Sequence, residues 1–176
     1  ISAINDYNKR ANNGYLGFLY IGLMIDDQNK IKVLEYNCRL GDPETQNLML
    51  TLHNKDINLL DLIINQPVNN IKDINLDRID KEDANFCCTL VLAAQGYPGK
   101  YKKHFYIDHS DVIENNKVKI FHAGTVLKNN KLQSTGGRIL TVNVYADNKD
   151  DAIATAYENI KKKFSNIVFA ARMISP

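Results

Sequence analysis

The sequence predicts an α+β fold built from short antiparallel strands and a few helices. Three observations carry this. Two β-prone runs, Leu16–Asp26 and Ile31–Arg39, flank the polar turn Asp27-Gln28-Asn29-Lys30, the pattern of a hairpin. Arg138–Tyr145 alternates, with Ile139, Thr141, Asn143 and Tyr145 against Leu140, Val142 and Val144, as a strand with two distinct faces does. Ala152, Ile153, Ala156, Tyr157, Ile160 and Phe164 recur at helical spacing and form one apolar stripe.

Between these, the elements follow in order. Gly41-Asp42-Pro43-Glu44 opens a helix running to about His53. Asp42 is suited to the N-cap, Pro43 to the first helical position and Glu44 to the positive end of the dipole. A second helix is predicted from Ile57 to Asn65, with Ile57, Leu60, Ile63 and Ile64 on one face and Pro67 ending it. Residues 67–84 are polar, rich in Asn and Asp, and aperiodic, which marks a linker. The chain therefore divides into 1–66, the linker 67–84, and a C-terminal α+β subdomain over 85–176.

That subdomain begins with the apolar strand Phe86–Ala94 and the turn Gln95-Gly96-Tyr97-Pro98-Gly99, where Pro and Gly favour tight reversal. Lys117–His122 and Thr125–Leu127 are strand candidates, and Asn129-Asn130 is a hairpin turn. Asn148 is placed to cap the helix predicted over Lys149–Phe164.

Bulk properties narrow the function classes. With 176 residues, 44% hydrophobic and 24% charged, the chain has the composition of a globular protein with one medium or two small domains. A formal net charge of +2 is too small to argue for nucleic acid or an anionic membrane as partner. No apolar run approaches the roughly 20 residues that span a bilayer. The start Ile1-Ser2-Ala3-Ile4-Asn5-Asp6 has no basic leader region and lacks Met, so the chain is expected to begin inside a longer protein. Cys38, Cys87 and Cys88, an odd count with two adjacent, make a poor disulfide framework and suit a reducing cytoplasm. Cys87 and Cys88 are expected in the core.

The chemistry is concentrated in Val33-Leu34-Glu35-Tyr36-Asn37-Cys38-Arg39-Leu40-Gly41-Asp42-Pro43-Glu44-Thr45-Gln46. Strict alternation puts Glu35, Asn37 and Arg39 on one strand face and Leu34, Tyr36 and Cys38 on the other, in apolar packing. Glu and Asn oxygens are hard ligands that suit Mg²⁺ shared with phosphate. Arg39 adds a planar fork for phosphate or carboxylate, and the following helix start adds free backbone N–H groups. On spacing alone, a surface ion pair between Glu35 and Arg39 is the commoner explanation of such a strand. Asp42 and Glu44 serve equally well as simple cap and first-turn residues.

The run Arg39-Leu40-Gly41-Asp42-Pro43-Glu44-Thr45-Gln46 resembles the diagnostic motif of the phosphoribosylamine–glycine ligase family. The likeness extends to Gly17–Met24, Ala93-Ala94-Gln95-Gly96-Tyr97-Pro98-Gly99, Phe121-His122-Ala123-Gly124-Thr125 and Gly136-Gly137-Arg138-Ile139-Leu140, so it covers nearly the whole chain in order. The resemblance implies the C-terminal lobe of an ATP-grasp fold followed by a small antiparallel α+β subdomain. It implies that Glu35 and Asn37 hold Mg²⁺ or Mn²⁺ between ATP phosphates and that Met24 packs on adenine. In many relatives of that fold a second metal carboxylate stands where this chain has Gly22, so more water on the metal is expected. Arg39 would steady the transferring phosphoryl group, and Gly41, Asp42, Pro43 and Glu44 would shape the substrate pocket.

The implied reaction is ATP-dependent ligation of glycine to 5-phosphoribosylamine through glycyl phosphate, in cytoplasmic purine biosynthesis. The missing N-terminal part of the same enzyme is the implied partner, and this portion alone is expected to be inactive. Two alternatives stay open: a non-catalytic module docking on a separate N-terminal half, and another ATP-grasp carboxylate–amine ligase. The glycine pair before Arg138 is either a phosphate-approach loop or plain packing, and His122 is expected to be half-buried and hydrogen-bonded.

Overall fold

The computed structural model describes residues 9, 15, 17–64, 85–108, 114–160 and 167–175. The fold is α+β with antiparallel sheets. Packing divides the chain into two compact units, Ile1–Asp42 and Pro43–Pro176. The expected linker over 67–84 lies outside the described residues.

The first unit is a hairpin of β1 (Tyr20–Ile25) and β2 (Ile31–Asn37). Asp26 makes its turn: the side-chain oxygen accepts from Gln28 N and Lys30 N at 3.0 and 2.9 Å, and Asn29 takes φ 59°. β1 begins at Tyr20, later than the sequence suggests, and ahead of it the Tyr15 hydroxyl donates to the Phe18 carbonyl at 2.6 Å. β2 stops at Asn37, so Arg39 lies beyond the strand.

The ladder pairs Tyr20 with Asn37, Ile21 with Tyr36 and Gly22 with Glu35, then Leu23 with Val33, Met24 with Lys32 and Ile25 with Ile31. Leu34 is the extra residue of a β-bulge, and it switches the parity of β2. Strict alternation across Leu34 is therefore wrong. One face carries Ile21, Leu23, Ile25, Ile31, Val33 and Tyr36; the other carries Tyr20, Gly22, Met24, Lys32, Glu35 and Asn37. Nor do Leu34, Tyr36 and Cys38 lie in apolar packing, because Leu34 is 61% and Tyr36 56% exposed and Cys38 is exposed as well. A two-stranded hairpin has no second layer of its own to cover a face.

The second unit centres on a four-stranded sheet of order β4-β7-β3-β8, with β3 (Phe86–Ala94), β4 (Val118–His122), β7 (Arg138–Ala146) and β8 (Ile167–Ser175). A separate hairpin joins β5 (Thr125–Lys128) to β6 (Lys131–Ser134). Its turn residues Asn129 and Asn130 both adopt positive φ, 50° and 57°, as a tight hairpin turn requires.

Helix α1 (Glu44–Asn54) packs on β3, β7 and β8, and α3 (Lys149–Ile160) on β3 and β7. Beneath α3 lies the main core, including Cys88, Leu90, Leu92, Leu140, Val142, Val144, Ala152 and Ala156. Leu50 of α1 packs with Cys87 and Tyr145. Both sheet faces are thus covered, and Cys87 and Cys88 are core residues, as expected. Asn148 caps α3, its Oδ1 accepting from Asp151 N at 2.9 Å.

Two helix expectations change. Pro43, not Asp42, holds the N-cap position of α1, and Glu44 is its first helical residue. The second helix, α2, spans Leu59–Ile64 and so starts later than Ile57, while its expected end at Asn65 and Pro67 lies outside the described residues; Leu60, Ile63 and Ile64 are 50–67% exposed. Strand β8, which pairs along β3, follows the last helix and was not anticipated.

Candidate functional site

The site residues fall at the end of β1–β2 and at the start of α1. Glu35 and Asn37 follow the bulge and share a face with Tyr20, Gly22 and Met24. Glu35 is exposed, Asn37 half-buried and Met24 52% exposed. Gly22, opposite Glu35, is the feature that shapes this face. A Cβ there would stand 3.1 Å from Glu35 Cγ and 3.7 Å from Tyr20 Cε1. The missing side chain leaves the room that the Glu35 side chain occupies.

No ion pair joins Glu35 to Arg39 among the described residues, where the salt bridges are Lys32–Asp26 and Lys117–Asp147. The Arg39 guanidinium instead donates from one nitrogen to the Leu40 carbonyl at 3.0 Å. That bond ties the guanidinium end of the side chain to the neighbouring backbone and leaves other donors of the fork.

A divalent cation is implied at Glu35 and Asn37, and the donor set fits one. Two hard oxygen donors two residues apart lie on one face, and Gly22 opposite Glu35 adds no side chain to it. The described residues contain no group of three or more His, Cys, Asp or Glu able to hold a metal. A site of two protein donors suits an ion that shares its shell with phosphate and water, as Mg²⁺ does.

In the second unit, Glu44 begins α1 and the Pro43 carbonyl accepts from Asn47 N at 3.3 Å. In the downstream motifs the glycines stand at close approaches of the backbone. A Cβ on Gly137 would collide with the Tyr97 ring, and Ala94 N donates to the Gly137 carbonyl at 2.8 Å. The Gly136-Gly137 pair is therefore explained by close approach of two loops. His122 is exposed rather than half-buried, and its Nδ1 lies 3.1 Å from Thr125 Oγ1. An open cleft of about 830 Å³ lies between Asn115–Val118 and the Tyr145–Asp151 region, and no motif residue lines it.

Sequence reasoning missed the bulge at Leu34 and a buried polar cluster of Asn47, Thr89, Thr141 and Asn143. The alternation of Thr141 and Asn143 on β7 was the available signal, but it reads equally as a solvent face.

Comparison with known proteins agrees along most of the chain. Residues 2–45 match the family described as phosphoribosylglycinamide synthetase, ATP-grasp (A) domain, and residues 87–172 match phosphoribosylglycinamide synthetase, C domain. The phosphoribosylamine–glycine ligase of Pseudomonas syringae pv. tomato is 40% identical over 146 residues, 82% of this chain and 32% of that protein. That of Vibrio cholerae is 37% identical over 163 residues, 92% of this chain and 36% of that protein. The crystal structure of phosphoribosylamine–glycine ligase from Thermotoga maritima superposes with a TM-score of 0.63 at 30% identity, covering 94% of this chain and 38% of that one. The chain thus spans about a third of the length of the relatives it matches. With an ATP-grasp segment leading into a C domain, it belongs to the phosphoribosylamine–glycine ligase family.

Proposed function

We propose that the chain is the portion of an ATP-dependent ligase that holds the metal–phosphate face and part of the substrate pocket. The whole enzyme joins glycine to 5-phosphoribosylamine, giving glycinamide ribonucleotide, ADP and phosphate in de novo purine biosynthesis. The observation that carries this reading is the face of Glu35, Asn37 and Gly22, followed directly in sequence by Arg39 and Gly41-Asp42-Pro43-Glu44.

In the first step a glycine carboxylate oxygen attacks the γ-phosphorus of ATP. The bond to the β–γ bridging oxygen breaks and ADP leaves with its electron pair. In the second, the amine nitrogen of phosphoribosylamine attacks the glycyl carbonyl carbon. The C–O bond to phosphate breaks and the nitrogen loses a proton. Both steps gather negative charge, so positioning and electrostatics dominate the catalysis.

Glu35 and Asn37 would hold Mg²⁺ or Mn²⁺, whose chemistry when bound is to offset charge on the ATP phosphates. Arg39, in the catalytic role, donates to the phosphoryl oxygens. Met24 lies on the same face and supplies a soft apolar contact for adenine. Gly41, Asp42, Pro43 and Glu44 bind substrate at the approach to α1. The exposed apolar face of Ile21, Leu23, Ile25, Ile31, Val33 and Tyr36 is what the rest of the ATP-grasp domain would cover. That face equally suits a separately made N-terminal half, and the intact mass of the source polypeptide distinguishes the two. The free thiols of Cys38, Cys87 and Cys88 accord with a cytoplasmic setting.

The test is ADP release by the full-length enzyme. Release that requires glycine, with product formation that also requires phosphoribosylamine, is the expected result. Release indifferent to glycine but dependent on another carboxylate would replace this reading with a different ATP-grasp ligase.

A further inference from the structure

Asn47 lies one turn into α1 and is 2% exposed. A buried primary amide is costly unless its hydrogen bonds are made. Its Nδ2 donates to the Cys87 carbonyl at 3.0 Å and to Thr89 Oγ1 at 3.3 Å. Thr89 Oγ1 in turn donates to Asn143 Oδ1 at 2.7 Å. Asn143 Nδ2 reaches Thr141 Oγ1 at 2.9 Å and the Lys119 carbonyl at 3.2 Å. The chain of bonds runs from α1 through β3 and β7 to β4, and Thr89 and Asn143 are wholly buried.

The same residue also holds the helix start. Asn47 N donates to the Pro43 carbonyl at 3.3 Å, and the Asn47 carbonyl accepts from Thr51 Oγ1 at 3.1 Å. Leu50 and Leu52 supply apolar contact for α1, but apolar packing is non-directional and permits sliding or rotation. Directional bonds from one side chain to a strand carbonyl and a strand hydroxyl do not. We infer that Asn47 is a positioning residue, fixing Pro43 and Glu44 relative to β3 through Thr89 and Asn143. It acts on substrate only through them, so the inference rests on Gly41–Glu44 being the substrate-binding segment.

The experiment uses the full-length enzyme and steady-state kinetics for glycine and phosphoribosylamine. Glu44→Gln first identifies which KM depends on the segment. Asn47→Leu keeps the branching at Cγ, with a somewhat larger side chain, and removes both donors. It is expected to raise that same KM about tenfold or more while kcat changes less than about threefold, the pattern of lost binding geometry. Val118→Ala is the control for stability alone, because Val118 belongs to the core beneath α3. It should lower Tm and leave both KM values within about twofold of the parent.

If Asn47→Leu lowers Tm but leaves the KM at the control level, Asn47 is merely structural and the inference is overturned. If Asn47→Leu does not fold, Thr89→Val is judged by the same criterion, since it keeps the Asn47–Cys87 bond. If Glu44→Gln and Asp42→Asn leave both KM values unchanged, the substrate reading itself fails and takes the inference with it. A raised KM in Glu44→Gln alone would overturn only the positioning role.

Discussion

Gly22 stands directly opposite Glu35 across the β1–β2 ladder, and a Cβ on Gly22 would lie 3.1 Å from Glu35 Cγ. Glycine usually weakens a strand, by roughly 0.5–1 kcal/mol relative to alanine. Here it clears the space that the Glu35 side chain uses. Gly22→Ala is therefore expected to leave Tm unchanged or slightly raised while displacing the Glu35 carboxylate. The concentration of Mg²⁺ or Mn²⁺ giving half-maximal activity should rise severalfold in the full-length enzyme. A normal metal titration would show that the clearance has no bearing on the metal.

Glu35→Ala removes the charged donor of the face and leaves Asn37. Turnover should fall at least about a hundredfold, as losing a main electrostatic contribution does, with excess metal restoring only part of it. Near-normal activity and metal dependence would remove Glu35 from the metal-binding role.

Arg39→Lys keeps the charge and loses the planar fork. One Arg39 nitrogen already serves the Leu40 carbonyl, so a lysine cannot hold that bond and a phosphoryl oxygen in the same geometry. The expectation is a drop in kcat of about tenfold or more with the KM for ATP less affected, the sign of an interaction made in the transition state. Unchanged turnover would exclude the phosphoryl role.

Burial pushes the Cys87 thiol up from 9.0 to about 12, with Cys88 adding to the rise and hydrogen bonds from Thr51 and Thr89 opposing it. Between those two pH values the unfolded chain gives up this proton and the folded chain keeps it, so stability falls as pH rises. Below pH 9 the contribution is fully retained. Urea unfolding measured from pH 8 to 11 should show a steeper decline for the parent than for Cys87→Ala. Thiol labelling of the folded protein should reach exposed Cys38 and spare Cys87 and Cys88.

What was legible in the sequence was local. The apolar run of β3, the alternation of β7, the Asn129-Asn130 turn and the Asn148 cap each declare themselves within a few residues. What escaped depends on partners far along the chain. Leu34 looks like any other strand leucine, and only the ladder shows that it bulges and turns Lys32 to the side of Glu35. Thr141 and Asn143 look like a solvent face until α1 and β3 cover and satisfy them. Asp42 has the chemistry of a cap, but the helix begins at Glu44 with Pro43 at its boundary. Likewise, nothing local says that the apolar residues of the hairpin are exposed in this chain, because exposure is set by the neighbouring layer.

The Asn47–Thr89–Asn143 cluster also bears on how the chain avoids misfolding. The apolar faces of β3 and β7 repeat with little variety, Cys88, Leu90 and Leu92 on one and Leu140, Val142 and Val144 on the other. Sliding one strand by two residues would return apolar to apolar, and hydrophobicity would hardly register the error. The polar face would register it at once. Thr89 would lose Asn143, and each buried group left without a partner costs about 1–3 kcal/mol. Three amide and hydroxyl side chains thereby act as a proofreading key for strand alignment, admitting the native pairing and penalising its nearest imitations.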